Sequence, residues 1–427
     1  MSGTGVNLGA LAEFNVAVVL DAIRRHPSGV TRTGISELTA LSGMTVSNVC
    51  RRLVEAGLVI EEAAPARGRG KPPKILTLNR DGGFAVGVHI DPAVITYALI
   101  DLSGRVRERI RTATPTVQDA ERVVREMAAM LDALLLTAEI DRGRVLGLGV
   151  ASPGPIDPRT GVVLNPPMLP GWHRVELRSA LHLATGLPVL IEKDATAAVV
   201  SELWFSEPGE RRNFAFLYYG TGFATGVALG GAAVRGVSSN AGDTAHIPVD
   251  PAGLTCDCGR RGCVGVVTAP RTLVAEAVRA GVLTERQAGD TTDSLQVGSA
   301  FGLLADAADA GIPAAVEILT VASQQIARAL VVVVNLLDVG EVVFGGPFWS
   351  RIAPVARTVL PEAVRTDPGL VVPHGIRFSE SSIPGDVAAV GAATLVLDNA
   401  FSPRPEALRI GTTGESAGRF SVPFSTP

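Results

Sequence analysis

Apolar residues recur at helical spacing near the start of the chain. Leu11, Phe14, Val18 and Ala22 predict one helix, which His26-Pro27-Ser28-Gly29 stops. A second short helix follows, with Ile35 and Leu38 inward, and Leu41-Ser42-Gly43 makes a tight turn. The third helix runs roughly from Thr45 to Ala56 and sets Val46, Val49, Cys50 and Leu53 in one buried stripe. Thr45, Ser47, Asn48, Arg51 and Arg52 fall on its opposite face. Gly57 ends that helix, and Leu58-Val59-Ile60 opens a strand. A second apolar strand, Ile75 to Leu78, lies beyond the basic stretch Arg67-Gly68-Arg69-Gly70-Lys71-Pro72-Pro73-Lys74.

From Phe84 the period changes to that of strands: Ala85–Ile90, Ile95–Leu102 and Arg105–Thr112, with Ser103-Gly104 at one turn. A long helix from about Val117 to Ala138 precedes a fully apolar strand, Val145 to Ala151. Alternation continues through Val189–Glu192, Asp194–Phe205, Asn213–Tyr219, helices after Pro313, and Glu341–Phe344. The fold class is therefore α/β. Abundant glycine (47 residues) with few aromatics (4%) points to close helix–sheet packing. The longest apolar run, Ala329 to Leu337, is too short to span a bilayer. Met1 to Ala10 does not read as a secretory signal, so a cytoplasmic location is expected.

The net charge of −4 hides an asymmetry. Residues 1–80 carry ten Lys/Arg and six Asp/Glu, a net of +4, which leaves −8 on the remainder. A helix that starts with small hydrogen-bonding groups and continues with paired arginines suits the major groove of DNA. Arg67, Arg69 and Lys71, set among glycines and prolines, suit an arm that follows a narrow minor groove. The first 80 residues are thus expected to bind duplex DNA.

Cys256, Cys258 and Cys263 share one glycine-bearing loop, CDCGRRGC, with His246 ten positions upstream. Three thiolates and an imidazole are the ligand set of a closed, structural zinc site. A disulfide would leave one thiol over, and C-x-C is too tight to bridge comfortably.

Together with Val150-Ala151-Ser152-Pro153-Gly154-Pro155-Ile156-Asp157 and Leu169-Pro170-Gly171-Trp172, that loop resembles the ROK family over about residues 82–398. The family comprises bacterial sugar kinases and sugar-responsive repressors with two actin-like lobes around a cleft, and the winged helix-turn-helix head resembles its repressor branch. The resemblance implies zinc on His246, Cys256, Cys258 and Cys263. It also implies a pocket that includes Gly154, Met168, Lys193, Asp194, Asp243 and His246.

Departures from the family pattern bear on activity. The first phosphate loop, D-x-G-x-T, becomes Asp91-Pro92-Ala93-Val94-Ile95-Thr96. Pro92 removes a donor and Ala93 blocks the close approach that glycine allows. The second loop, Gly220-Thr221-Gly222-Phe223-Ala224-Thr225-Gly226, keeps its glycines, as does Gly345-Gly346. Lysine and threonine flank Asp194 where asparagines are usual, Asp243-Thr244-Ala245-His246 replaces E-x-G-H, Met168 replaces an asparagine, and Gly265 replaces a glutamate.

A sugar-responsive DNA-binding repressor without kinase activity is the expected function. An ATP-dependent sugar kinase with Asp194 as base, or a regulator controlled by a protein partner, would be the alternatives. Two-fold oligomers, dimer or tetramer, are expected on palindromic sites. The expected division is a head over 1–80, one lobe over 81–198 plus 385–400, a second over 199–384, and a disordered tail over 401–427.

Overall fold

The computed structural model describes residues 8–63, 73–115, 120–166, 169, 171–206, 210–383 and 385–403. The head comprises α1 (Leu8–Arg24), α2 (Arg32–Thr39), α3 (Gly43–Glu55), β1 (Val59–Ala63) and β2 (Lys74–Leu78). The side chain of Thr31 caps α2, and Ala40 turns left-handed (φ 57°) to end it. Ser42 then caps α3 by accepting from Thr45 N. The α3 stripe is as expected: Val46, Val49, Cys50 and Leu53 are buried. α1 is rotated from the expected face. It buries Val16, Val19, Leu20 and Ile23, whereas Leu11 is 36% exposed. Leu38 is likewise outside, 56% exposed, and Ile35 is the buried residue of α2. β1 and β2 form an antiparallel wing, and a bridge from Val30 to Leu76 ties it to the link between α1 and α2.

The body holds two five-stranded sheets. The first is built from β3 (Phe84–Ile90), β4 (Val94–Asp101), β5 (Val106–Ala113), β6 (Val145–Ser152) and β9 (Val189–Lys193), in the order β5-β4-β3-β6-β9. Between these strands lie α4 (Ala120–Thr137), the two-residue strands β7 (Ile156–Asp157) and β8 (Val162–Val163), and α5 (Leu177–Thr185). Helix α6 (Asp194–Phe205) leads to β10 (Phe214–Tyr219), β11 (Phe223–Leu229) and β12 (Ala232–Ala233). Then come α7 (Val264–Val267), α8 (Pro270–Arg279), α9 (Glu285–Ala288), α10 (Ser294–Asp309), α11 (Pro313–Leu337), β13 (Glu341–Gly345), α12 (Trp349–Arg365), β14 (Arg377–Glu380) and α13 (Val387–Phe401).

The second sheet runs β12-β11-β10-β13-β14, so each sheet has an antiparallel three-strand meander followed by two parallel strands. The body is a duplicated α/β unit. α6 and α13 lie against each other between the two units. Glycines set that spacing: a Cβ on Gly149 would stand 1.8 Å from the Ala392 carbonyl oxygen, and one on Gly87 would stand 1.9 Å from that of Ala389. A Cβ on Gly226 would lie 2.3 Å from the Ala195 oxygen.

α11 is long and apolar enough by composition to cross a membrane, but 56% of its most apolar stretch is buried inside the fold. Its Leu319, Ile326 and Leu330 belong to the core of the second unit. Head and body share a core as well. Val16, Val19, Leu20 and Leu76 cluster with Ala98, Ile100, Leu102, Trp204 and Leu397. The Arg24 guanidinium lies 3.9 Å from the centre of the Trp204 ring and donates to the Trp204 carbonyl at 2.8 Å. The expected lobe boundary at 198/199 falls inside α6, and the expected tail beyond 403 lies outside the described residues.

Candidate functional site

Three groups of residues carry the chemistry. On the exposed face of α3, Asn48, Arg51 and Arg52 point outward. Ser47 is half-buried, and the Thr45 hydroxyl lies 2.9 Å from the Ser42 hydroxyl in the cap. Met44, not singled out by the sequence pattern, is 79% exposed in the first turn of the same helix. Its signal was an apolar residue off the buried stripe. Arg67, Arg69 and Lys71 lie outside the described residues.

The cysteine loop closes on His246. A bridge from Pro248 to Cys263 and another from Thr255 to Arg261 fold the chain back on itself. Gly262 (φ +64°) approaches Asp250 so closely that a Cβ would stand 1.6 Å from its carbonyl oxygen. The His246 Nδ1 lies 3.3 Å from Cys256 Sγ, Cys258 Sγ lies 3.6 Å from Cys263 Sγ, and all four donor atoms fall within 4.8 Å of one another. A tetrahedral zinc with Zn–S of about 2.3 Å and Zn–N of about 2.0 Å requires ligand separations of about 3.5 to 3.8 Å. The donor set therefore fits such an ion. The backbone N–H of Arg260 pulls the Cys258 thiol down, whereas burial pushes Cys263 up to about 12. A cation among them would hold the thiolates that burial alone disfavours.

The third group lies where the two units meet. β9 ends at Lys193 and α6 begins at Asp194, so consecutive residues face different partners. The Lys193 ammonium donates to the carbonyl oxygens of Asn240 (3.2 Å) and Ala241 (3.3 Å). The Asn240 side chain accepts from Ile156 N at 2.9 Å and donates to Ile156 O at 2.8 Å. Lys193 passes over Gly154, where a Cβ would stand 3.0 Å from its Cε. Glu192 is held by Arg235 at 2.6 Å. Asp194 accepts from Ala195 N at 2.7 Å. Burial raises its carboxyl above the ordinary aspartate range, while His89 pulls the other way.

His89 is buried, with its Nε2 3.4 Å from the Tyr218 hydroxyl. Asp91 accepts from the Thr221 hydroxyl at 3.0 and 2.9 Å, so the two segments at the expected phosphate-loop positions bond directly to each other. The expected pocket residues are thus divided. Gly154 and Lys193 meet at the Asn240 contact, Asp194 sits with His89, His246 belongs to the cysteine cluster and Asp243 is exposed. Met168 lies outside the described residues. His89, Tyr218, Arg235 and Asn240 were not read from the sequence, and Thr221 was read only as part of the second phosphate loop. The one available signal was a histidine inside a strand that is otherwise apolar, FAVGVHI.

A winged three-helix head fused to a duplicated α/β body with a Cys/His loop defines a nucleic-acid reader joined to a sugar-kinase-like fold. Residues 85–399 match the ROK family and residues 13–70 match the MarR family. The chain belongs to the ROK family. It is 27% identical to the putative xylose repressor of Caldicellulosiruptor sp. (strain Rt8B.4), over 68% of this chain and 73% of that one. The crystal structure of a ROK family transcriptional regulator, a homologue of the Escherichia coli Mlc protein, superposes with a TM-score of 0.74 at 23% identity, over 91% of this chain and 96% of that one. A ROK family glucokinase from Streptomyces griseus, in complex with glucose and AMPPNP, superposes with a TM-score of 0.61 at 26% identity, over 73% of this chain and 99% of its own.

Proposed function

We propose that this protein is a sugar-responsive transcriptional repressor that holds DNA through α3 and the arm at Arg67, Arg69 and Lys71. The observation that carries this reading is the exposed Asn48, Arg51 and Arg52 face on a capped helix whose opposite face is buried. Side chains of these types reach base edges and phosphates from the major groove. The shared core of head and body supplies the coupling: a ligand that changes the body's lobe arrangement moves the head with it. Two such heads in a homodimer or homotetramer would read a palindromic site in the cytoplasm.

His246, Cys256, Cys258 and Cys263 hold zinc in this reading, and with four protein ligands the ion is structural. The body does not transfer phosphoryl groups. Asp91 spends its carboxylate on Thr221 of the facing loop, where a nucleotide's phosphates would need both loops free. The test is a gel-shift and footprinting experiment on genomic duplexes, run beside a coupled ATP assay with neutral hexoses and pentoses. Protected palindromes without turnover support the reading. Turnover that is lost in Asp194→Ala would make the protein a kinase.

A further inference from the structure

The body's sugar-sensing role, proposed above, leaves open which class of sugar it takes, and Lys193 bears on that. Its side chain is buried, yet its ammonium has two backbone carbonyls as partners, at 3.2 and 3.3 Å. Among the described residues no carboxylate lies within the 4.0 Å ion-pair distance of Nζ. Burying a cation is costly unless an anion accompanies it.

The carboxylates nearby are otherwise engaged. Glu192 is paired with Arg235, Asp91 accepts from Thr221, and Asp194 accepts from the Ala195 N–H, its carboxyl raised by burial against the pull of His89 and Lys193. Two carbonyl dipoles hold the ammonium in place, and the Asp194 carboxyl feels its charge without an ion-pair contact. The same two carbonyls belong to Asn240 and Ala241, in the second unit, whereas β9 belongs to the first. Whatever takes the ammonium from them also loosens the contact between the two units.

We infer that the effector is an anionic sugar, a sugar acid or a sugar phosphate, whose charged group takes Lys193 from the carbonyls of Asn240 and Ala241. Carboxylate and phosphate share the chemistry required, two or more acceptor oxygens that carry charge. A neutral sugar would leave the buried charge as it stands and would gain little by displacing the carbonyls. The inference rests on the sensing role proposed above and adds the ligand class.

The experiment uses the full-length, metal-loaded protein. Thermal melts and release from operator DNA are followed with D-glucuronate, D-gluconate and D-glucose 6-phosphate, against D-glucose, D-xylose and inorganic phosphate. The expected result is a rise in Tm and at least tenfold weaker operator binding with one of the three anionic sugars, and no response to the neutral sugars or to phosphate alone. The carboxylate and phosphate arms identify which anion is read. Lys193→Met should weaken the apparent affinity for that sugar at least tenfold, and Lys193→Arg should restore part of it.

An equal response to D-glucose or D-xylose overturns the inference, as does an equal response to inorganic phosphate or a flat result across the anionic sugars. The wild-type panel decides the question of charge even if Lys193→Met fails to fold. A protein that binds duplex DNA and ignores every anionic sugar overturns this inference and leaves the repressor reading standing. Failure to bind duplex DNA overturns that reading instead.

Discussion

Ala245 and Gly265 occupy one small volume together. A Cβ on Gly265 would stand 2.8 Å from the Ala245 Cβ and 3.1 Å from its carbonyl oxygen. Ala245 stands where the family pattern has glycine and Gly265 where it has glutamate, so the two departures compensate. Gly265→Glu alone should destabilise the protein by about 1–3 kcal/mol, as overpacking does. Adding Ala245→Gly should recover part of that loss, a coupling that a double-mutant cycle of thermal melts would detect. Additive effects would show that the sites are independent.

Asp194 makes a second residue-scale prediction. Its carboxyl is easier to protonate in the folded chain than in the unfolded one, because burial disfavours the charge. Folding therefore takes up a proton in the window above the ordinary aspartate value, and stability falls as pH rises through it. Asp194→Asn should flatten that decline and melt higher than wild type at neutral pH. Melts across pH 4 to 8 check this, and a variant that melts lower at pH 7 would contradict it. The identities of Lys193 and Asp194 were legible in the sequence, because they sit in a recognisable segment. Their partners were not: Lys193 meets Asn240 across 47 positions, and Asp91 meets Thr221 across 130. No local pattern encodes pairings set by how two lobes close.

At the scale of elements, periodicity succeeded where a helix has one apolar stripe and failed where apolar residues run all round it. α3 has one dry side, and its stripe was read correctly. α1 carries apolar residues all round, LGALAEFNVAVVLDAI, so two faces fit the same period and the body chose between them. The strands that were read fall within a residue or so of those observed, since both faces of the central strands are covered and read as apolar runs. β7, β8, β11, β12 and β14 were not read, and β11 takes up Phe223–Gly226 of the segment expected as a phosphate loop. The family resemblance implied two lobes, but the duplication of the sheets was not visible in the residue pattern. It lies in strand order, and the two halves share no evident sequence repeat. The glycines were noted for close packing, and the structure shows where it occurs. Gly149→Val should abolish folding or cost well over 3 kcal/mol, because the new side chain would collide with α13 backbone that cannot yield. A Gly149→Val protein with wild-type melting would contradict the packing described.

For the whole molecule, the metal loop and the head are the parts whose removal should be felt farthest. Binding energy at a structural zinc site contributes directly to folding. Chelation, or Cys256→Ser, should therefore lower Tm and release one equivalent of zinc, measured by elemental analysis on the purified protein. An unchanged Tm with no zinc present would refute the site. Cutting away residues 1–80 should expose Trp204, over which Arg24 lies, and the side of α13 that α1 packs against.

The central claim, that this chain holds duplex DNA through its amino-terminal domain, is most directly tested by its affinity for an operator-bearing duplex between 50 and 200 mM salt. Binding should weaken on the order of a thousandfold or more over that range, as expected for about six phosphate contacts, with a shallower slope in Arg51→Ala and Arg52→Ala. Absent or salt-insensitive binding at 50 mM would contradict it.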